Sequence, residues 1–340
     1  MSFELFNRYY KLTISDDEGA TIDYSELHCQ FSVTSAIGAV PGICRLRLYN
    51  VNKERFDFFT MNGGFIELYA GYQGSHGIIF QGSITQVRDS RENGVDTYID
   101  ITAIDGDEIH NSAFVSTTYA PGSTASSRLF QLVKATNELN SCGYEILSPT
   151  KEQLDSFLPK NDPKSTVTFG ASPLLRHKSV VGSFSKIVEK ECKLSRIDTA
   201  ITRRQGLQVL SAYTIVTDPD YIWVINYKTG QLDIPYRTSD GVVVKTLLNP
   251  NYVALAGSVH INNKSVREQE INVLAPNEIN QQQAVLIKQN YALDGYYKIY
   301  QITNVGDTRG EDWYSELTCA VITNTDELAK LEAGKNIGNK

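Results

Sequence analysis

Alternation of apolar and polar residues with a period of two is the feature that most constrains the fold of this chain. It runs from residue 3 to about residue 109, clearest at residues 44–48, 65–69 and 98–102, and glycines separate the runs. Period two is the repeat of a β-strand with one buried face, and glycine is typical of the turns between strands. The pattern predicts an antiparallel β domain.

A different pattern begins near Pro121, where residues with helical spacing follow possible capping residues. Ser123 can cap a first helix that Gly143 ends, and Ser183 can precede a second helix. The apolar faces of the two helices are Leu129, Leu132, Val133, Thr136 and Leu139, and then Phe184, Ile187, Val188 and Cys192. Residues 203–206 read as a hairpin turn, so a small α+β unit is predicted here.

Strand character returns at residues 241–248, 258–261, 296–305 and 313–321, and with it comes an internal repeat. The stretch ITQVRDSR at residues 84–91 matches ITNVGDTR at residues 302–309 at five positions, with one Ser/Thr exchange. With a second loop two residues shorter, residues 96–102 align with 312–318, and residues 42–50 parallel 241–249.

The repeat predicts two copies of one hairpin, each with an Asp and an Arg two residues apart in its turn. The residues assigned to these duplicated hairpins are Asp89, Arg91 and Asp96 in the first copy, and Asp307, Arg309, Asp312 and Trp313 in the second. Coincidence between hairpins with similar turns is the alternative.

The predicted fold class is mainly β (α+β), with two duplicated antiparallel β-barrel domains and a small α+β middle domain. The predicted boundaries are 1–115 for the first barrel, 116–235 for the middle domain, 236–324 for the second barrel and 325–340 for a flexible tail. Two equivalent domains in a closed trimer would present six similar units around one axis. Such a ring can join a sixfold object to a threefold one.

Charge and cysteine usage exclude several classes of protein. Lys plus Arg number 32 against 39 Asp plus Glu, a net charge of −7, and no basic stripe of a dedicated nucleic-acid binder is present. The five cysteines form no C-x-x-C pair and read as reduced core residues. Charged residues near the start argue against a signal peptide, and no stretch approaches the ~20 apolar residues that span a bilayer. We expect a chain made in a cytosol.

Signatures of catalysis are absent from the sequence, which contains no G-x-S-x-G, H-E-x-x-H, P-loop or G-x-G-x-x-G pattern. The five histidines are isolated. Carboxylates cluster at residues 105–108 and 307–312, where we expect them to satisfy backbone groups and to pair with Arg91 or Arg309. A glycosidase cleft between two carboxylates is the alternative. We therefore predict no catalytic residue, no cofactor and no metal. We expect Trp313 to pack in a core or interface, and a sugar-binding platform is the alternative.

Residues 46–50, 65–72, 79–84 and 105–107 form one set of distinctive segments, and residues 230–235, 241–250 and 306–313 form a second set. Together they resemble the baseplate hub family of contractile-tail phages, which is related in fold to the hub part of type VI secretion spike proteins. The first set looks like the first tube domain of that family, and the second set looks like the second. In some relatives a histidine precedes the Gly-Asp-Thr-Arg stretch. Here Asn304 and Val305 stand at those positions.

The resemblance implies a homotrimeric, pseudo-sixfold ring in the virion, assembled in the host cytoplasm. Implied partners are the tail tube protein, the central spike protein, the tape measure protein and baseplate wedge proteins, with DNA only in transit through the lumen and no integral membrane association. An acidic lumen wall would repel DNA phosphates. The alternatives are the hub of a related injection machine, such as a tailocin or a type VI-like system, and a β-rich hydrolase of cell-wall polymer.

Overall fold

One large sheet contains most of the strands in this computed structural model. The described residues are 7–16, 18–38, 40–61, 64–92, 96–143, 145–157, 173–211, 221–264 and 293–322. The sheet has 13 strands, and along its main path their order is β13-β14-β17-β16-β3-β4-β7-β6-β5-β1-β2, while β15 pairs with β16 and β12 pairs with β15. The strands of this sheet are β1 Arg8–Ser15, β2 Thr21–Asp23, β3 Cys29–Ala36, β4 Ile43–Tyr49, β5 Phe65–Tyr72, β6 Ser75–Glu92, β7 Asp96–Ile104, β12 Ile222–Ile225, β13 Tyr236–Thr238, β14 Gly241–Leu247, β15 Ser258–Ile261, β16 Gly295–Asp307 and β17 Trp313–Val321.

The large sheet corrects the prediction of two separate barrels. Strand β16 pairs with β3 over seven residue pairs, so strands from the two ends of the chain share one hydrogen-bonded ladder. All ladders of the sheet are antiparallel except β12 with β15, and no closed barrel is found among the described strands. The mainly β class is confirmed. A strand edge that is already paired with the other half of the chain cannot close its own half into a barrel.

Strand order repeats within the sheet. The first half runs β3-β4-β7-β6-β5, and the second half runs β13-β14-β17-β16-β15, with the strands in the same sequential roles. We call β3 to β7 the first repeat and β13 to β17 the second repeat. This shared order supports the duplication inferred from the sequence, although each half remains open.

Alternation along the strands separates a buried face from a polar face, as period two requires. The buried face of the first repeat forms a core with residues such as Phe31, Leu46 and Ile101, to which Leu248 and Trp313 contribute from the other end of the chain. A second core lies under β14 to β17 and includes Val244, Ile299 and Leu317.

The predicted α+β unit is present between the two repeats. Its elements are α3 Ala125–Leu139, α4 Lys151–Phe157, α5 Phe184–Ser195, the hairpin β8 Phe114–Tyr119 with β9 Lys178–Ser183, and the hairpin β10 Ile197–Thr202 with β11 Gly206–Ser211. Two short helices, α1 Lys53–Met61 and α2 Asp107–Asn111, lie within and just after the first repeat.

The helix boundaries differ from the predicted ones. Thr124, not Ser123, caps α3 by accepting a hydrogen bond from the Ser127 N–H, and the helix ends at Asn140 in a left-handed conformation, before Gly143. Asparagine tolerates this conformation, which satisfies the last carbonyls of a helix. Leu139 is half exposed instead of buried. The second helix follows Ser183 as predicted.

The proposed domain boundaries remain predictions, but two strands bear on them. Strand β12, which lies inside the predicted middle domain, pairs in parallel with β15 in the large sheet. The α+β unit packs against that sheet through Ile37, Ala200, Leu210 and Leu255. The predicted tail, residues 325–340, lies outside the described residues.

Candidate assembly interface

The junction of the two repeats is a strand pairing between β16 and β3. The first half of β16 pairs with β15, from Gly295 to Lys298. Its second half pairs with β3, from Gln301 opposite Ala36 to Asp307 opposite Gln30. A bulge between Ile299 and Gln301 separates the halves. Bulges bend and twist a strand, so this one lets a single strand serve two neighbours.

The turn after β16 is fixed to this junction by Asp307. Its carboxylate accepts hydrogen bonds from the backbone N–H groups of Arg309 (2.9 Å) and Gly310 (2.7 Å), and it contacts His28 Nε2 (2.8 Å) and Gln30 Nε2 (2.9 Å). Partial burial raises the pKa of Asp307, but these bonds outweigh it and lower the pKa to about 2.

Arg8 holds the same turn from β1. Its guanidinium donates to the backbone carbonyls of Asp307 (3.0 Å), Gly310 (2.6 Å) and Glu311 (2.9 Å). Arg309 contributes its backbone rather than an ion pair with Asp307. The expected pairing of the carboxylate with Arg309 is therefore wrong, whereas the expected bonding to backbone groups is confirmed.

Trp313 anchors the start of β17 in the core. It is 4% exposed, its indole N–H donates to the Gly71 carbonyl (3.0 Å), and its ring meets Phe31 edge-on at 5.3 Å between centroids. Aromatic pairs of this geometry add to the stabilisation from burial. Trp313 thus packs in a core, and a sugar platform at this residue is excluded by its burial.

The first repeat contains the same hairpin, with a bulge between Ile84 and Gln86 in β6. Directly after the bulges, Gln86 lies opposite Thr102, and Gln301 lies opposite Thr318. The structural counterpart of Gln86 is therefore Gln301, and the counterpart of Glu92 is Asp307. The second strands match as the sequence alignment has them, since Thr102 and Thr318 were aligned there.

The alignment of residues 84–91 with 302–309 is displaced from the pairing register by three residues. Asp89 and Arg91 lie within β6, opposite Ile99 and Thr97, and not in a turn. Asp96 is the first residue of β7, and Asp312 directly precedes Trp313 and β17. The prediction of one Asp/Arg turn in both copies is thus wrong for the first copy. Short polar stretches resemble one another by chance more readily than bulge positions do.

Several strand edges of the described chain have a neighbour on one side only, β2 and β12 among them, and two of these edges match the segments that pair in the internal junction. Beyond the bulge, β6 pairs with β7, and its residues 85–92 are mostly exposed. Strand β13 pairs with β14 only, and its three residues are all exposed. In the internal junction, the matching segments of β16 and β3 pair with each other. These two edges form the candidate assembly interface.

The polar face of the sheet carries charges of both signs. Arg47 and Asp100 form a bidentate ion pair (2.7 and 3.0 Å), with Arg88 opposite Asp100 on the next strand. Lys245 lies opposite Glu316 in the second repeat. Cross-strand pairs of opposite charge therefore occur on this face in both repeats.

The carboxylates of Asp105 and Glu108 make structural contacts with the middle unit and with β6. Asp105 accepts from the Arg203 backbone N–H (2.8 Å), and Glu108 contacts the Arg203 guanidinium (3.3 Å) and the Ser83 hydroxyl (2.5 Å). Arg203 of the middle unit, and not Arg91, is thus the partner of this cluster. Burial raises the pKa of Asp105 to about 6, against the lowering effect of Arg203. Within the described ranges no group of three His, Cys, Asp or Glu residues is arranged to hold a metal ion.

Membrane insertion by a helix finds no support in the part of the chain that the structure describes, because none of its helices combines the length and apolar character that a bilayer crossing requires. All five cysteines are free and buried, as the sequence predicted.

Comparison with known proteins identifies the fold. No family model and no curated protein matches the chain. Among solved structures, the 43 kDa tail protein of prophage MuSo2 from Shewanella oneidensis matches with a TM-score of 0.55 and 8% identity, over 92% of this chain and 98% of that one. A tail protein from Neisseria meningitidis MC58 matches with a TM-score of 0.51 and 8% identity, over 94% of this chain and 99% of that one.

A third similar structure is a chain of the Francisella PdpA-VgrG complex. It matches with a TM-score of 0.51 and 8% identity, over 95% of this chain and 59% of that one. At these identities the comparison speaks to the fold. The chain has the fold shared by these phage tail proteins and the PdpA-VgrG complex chain.

Proposed function

We propose that this protein is the structural hub of a contractile phage tail baseplate. Three copies form a pseudo-sixfold ring that joins the sixfold tail tube to the threefold central spike. The ring leaves a channel for the tape measure protein and DNA, and baseplate wedge proteins bind its outside.

The observation that carries this proposal is the repeated strand order with its internal junction. Each chain supplies two similar five-strand units, joined where β16 meets β3. The open edges of β6 and β13 are the counterparts of the edges paired in that junction, and they lie at opposite ends of the joined units. Head-to-tail contacts between such edges generate rings when the rotation closes. Six units close with three chains.

The similarity to solved structures supports the proposal that this ring belongs to a phage tail. The tail proteins from Shewanella oneidensis and Neisseria meningitidis align over nearly the whole of both chains, so the likeness involves both repeats and the middle unit. We infer a place in the virion tail from it. The likeness to a chain of the Francisella PdpA-VgrG complex favours the hub of a related injection machine as the second candidate.

A non-enzymatic role is part of the proposal. The carboxylates near Asp105 and Asp307 hold backbone groups and neighbouring side chains in place, which favours a structural role for both clusters over glycoside hydrolysis. Purified protein incubated with cell-wall polymer is expected to release no soluble sugar. An active monomer would favour the hydrolase instead.

Mass measurement in solution tests the ring. Light scattering coupled to size exclusion should give three times the 37.9 kDa chain mass over a range of concentrations. Negative-stain images of the same fraction should show rings with a central channel. A monomer at all concentrations, or a twofold dimer, would refute the proposed hub.

A further inference from the structure

The internal junction fixes the register that a junction between two chains would have. A row of directly opposed residues crosses the first repeat through Ser32, Arg45, Thr102 and Gln86. The matching row in the second repeat runs through Tyr236, Val243, Thr318 and Gln301. Ser32 of β3 and Tyr236 of β13 are therefore counterparts, as are Gln86 and Gln301.

Each residue pair between β16 and β3 therefore predicts one residue pair between β6 of one chain and β13 of another. Val305, four residues after Gln301, lies opposite Ser32, so Ser90, four residues after Gln86, would lie opposite Tyr236. The next internal pair is Asn304 with Val33, which transfers to Asp89 with Arg237. The third is Thr303 with Thr34, which transfers to Arg88 with Thr238.

The middle one of these three pairs, Asp89 with Arg237, differs in charge from its counterpart in the internal junction. Internally, the position holds the uncharged residues Asn304 and Val33. On the two open edges, the same position holds Asp89 and Arg237, both exposed and neither in a salt bridge with any other described residue. Oppositely charged residues that face each other across antiparallel strands attract, and like charges there repel.

The other edge residues restrict what else can bind. Charged side chains such as Arg88 and Arg91 on the open edge of β6 discourage pairing with unrelated strands, and Pro235 directly before β13 shortens the partner edge. An edge protected in this way accepts a partner of matching register and charge more readily than an arbitrary strand.

We propose that β6 of one chain pairs antiparallel with β13 of a second copy, with Asp89 opposite Arg237 and flanked by Ser90–Tyr236 and Arg88–Thr238. This inference rests on the proposed ring and specifies its contact. The sheet, open in one chain, becomes continuous around the ring through this contact.

Cysteine crosslinking tests the register. Directly opposed residues in antiparallel strands have Cα atoms roughly 4.5–5.5 Å apart, within the range that a disulfide bridges. The double variant Asp89→Cys/Arg237→Cys should, on mild oxidation, give covalent dimers and closed trimers on a non-reducing gel. The native cysteines are buried and should not contribute. The matched control is Asp89→Cys/Thr238→Cys, whose side chains would point to opposite faces of the sheet.

Charge exchange provides a second test that does not depend on oxidation. Asp89→Arg or Arg237→Asp alone should weaken trimer association by about tenfold or more, because each places like charges opposite each other. The combined exchange Asp89→Arg/Arg237→Asp should restore association to within about threefold of the parent. Both positions are exposed in the single chain, so circular dichroism should show each variant folded.

Mass and crosslinking together separate the two proposals. A parent protein that stays monomeric overturns both the ring and this contact. A trimer in which the Asp89/Arg237 pair does not crosslink, crosslinks only within one chain, or crosslinks no better than the control overturns the contact and leaves the ring standing. Exchange variants that do not rescue one another would also overturn it.

Discussion

Replacing Asp307 by Asn should destabilise the protein by an amount that the geometry of the turn sets. Asparagine keeps the size of the side chain and one acceptor oxygen, but it removes the charge that Arg309, Gly310, His28 and Gln30 surround. Folding lowers the pKa of Asp307 from 3.8 to about 2, and at about 1.4 kcal/mol per pH unit this corresponds to roughly 2 kcal/mol at pH 7.

The sign of the pH dependence follows from the direction of that shift. A carboxyl whose pKa is lower in the folded state stabilises the protein above its unfolded pKa of 3.8, and this stabilisation disappears as the pH falls through about 2. The gap in unfolding free energy between parent and Asp307→Asn should therefore be constant from pH 7 to about pH 5 and close by about pH 2.

Urea unfolding followed by tryptophan fluorescence measures this gap. The chain has two tryptophans, and a Trp223→Phe background leaves Trp313, which lies in the core beside the turn, as the reporter. Glu92→Gln is the matched control, because Glu92 is the counterpart of Asp307 in β6, is exposed and bonds to the Tyr49 hydroxyl at 3.1 Å. The control should change stability by less than about 0.5 kcal/mol. If Asp307→Asn behaves like the control at pH 7, or its deficit persists at pH 2, the reasoning is wrong.

Three further predictions concern other parts of the molecule. Glu191→Ala should cost roughly 3–5 kcal/mol in thermal or urea unfolding, because it leaves Arg128, whose side chain is 5% exposed, without its carboxylate; Glu189→Ala on the same helix should cost under about 1 kcal/mol. Asp105→Asn should stabilise the protein by up to about 3 kcal/mol at pH 8, since the raised pKa of about 6 disfavours the ionised form, and this gain should vanish by about pH 4; an equal effect at both pH values would contradict it. Trp313→Ala should lower the unfolding free energy by about 3–5 kcal/mol, and a loss below about 1 kcal/mol would mean that this ring does not hold the core.

Alternation and turn residues predicted most of the strands correctly, because apolar and polar residues alternate along any strand that has one buried face. The strands around residues 44–48, 98–102 and 313–321 lie where expected. What alternation does not contain is the partner of each strand. The pairing of β16 with β3 joins residues about 270 positions apart, and this contact turned two expected barrels into one open sheet.

The candidate interface was visible in the sequence only in part. The repeat in residues 96–102 and 312–318 was aligned correctly, and from it the two hairpins were predicted. The register of their first strands depends on a bulge in each copy, which has no reliable signature in short polar stretches. Arg237 has no signature in the sequence, because its significance follows from its place as the structural counterpart of Val33, opposite the counterpart of Asn304.

Cryo-electron microscopy of the purified protein tests the central claim most directly, since it shows how many five-strand units surround the axis. We expect a closed ring of three chains in which six similar sheet segments alternate, with β6 of each chain beside β13 of the next. A map of single chains, of a twofold dimer, or of a trimer whose neighbours meet through the middle units would contradict the account.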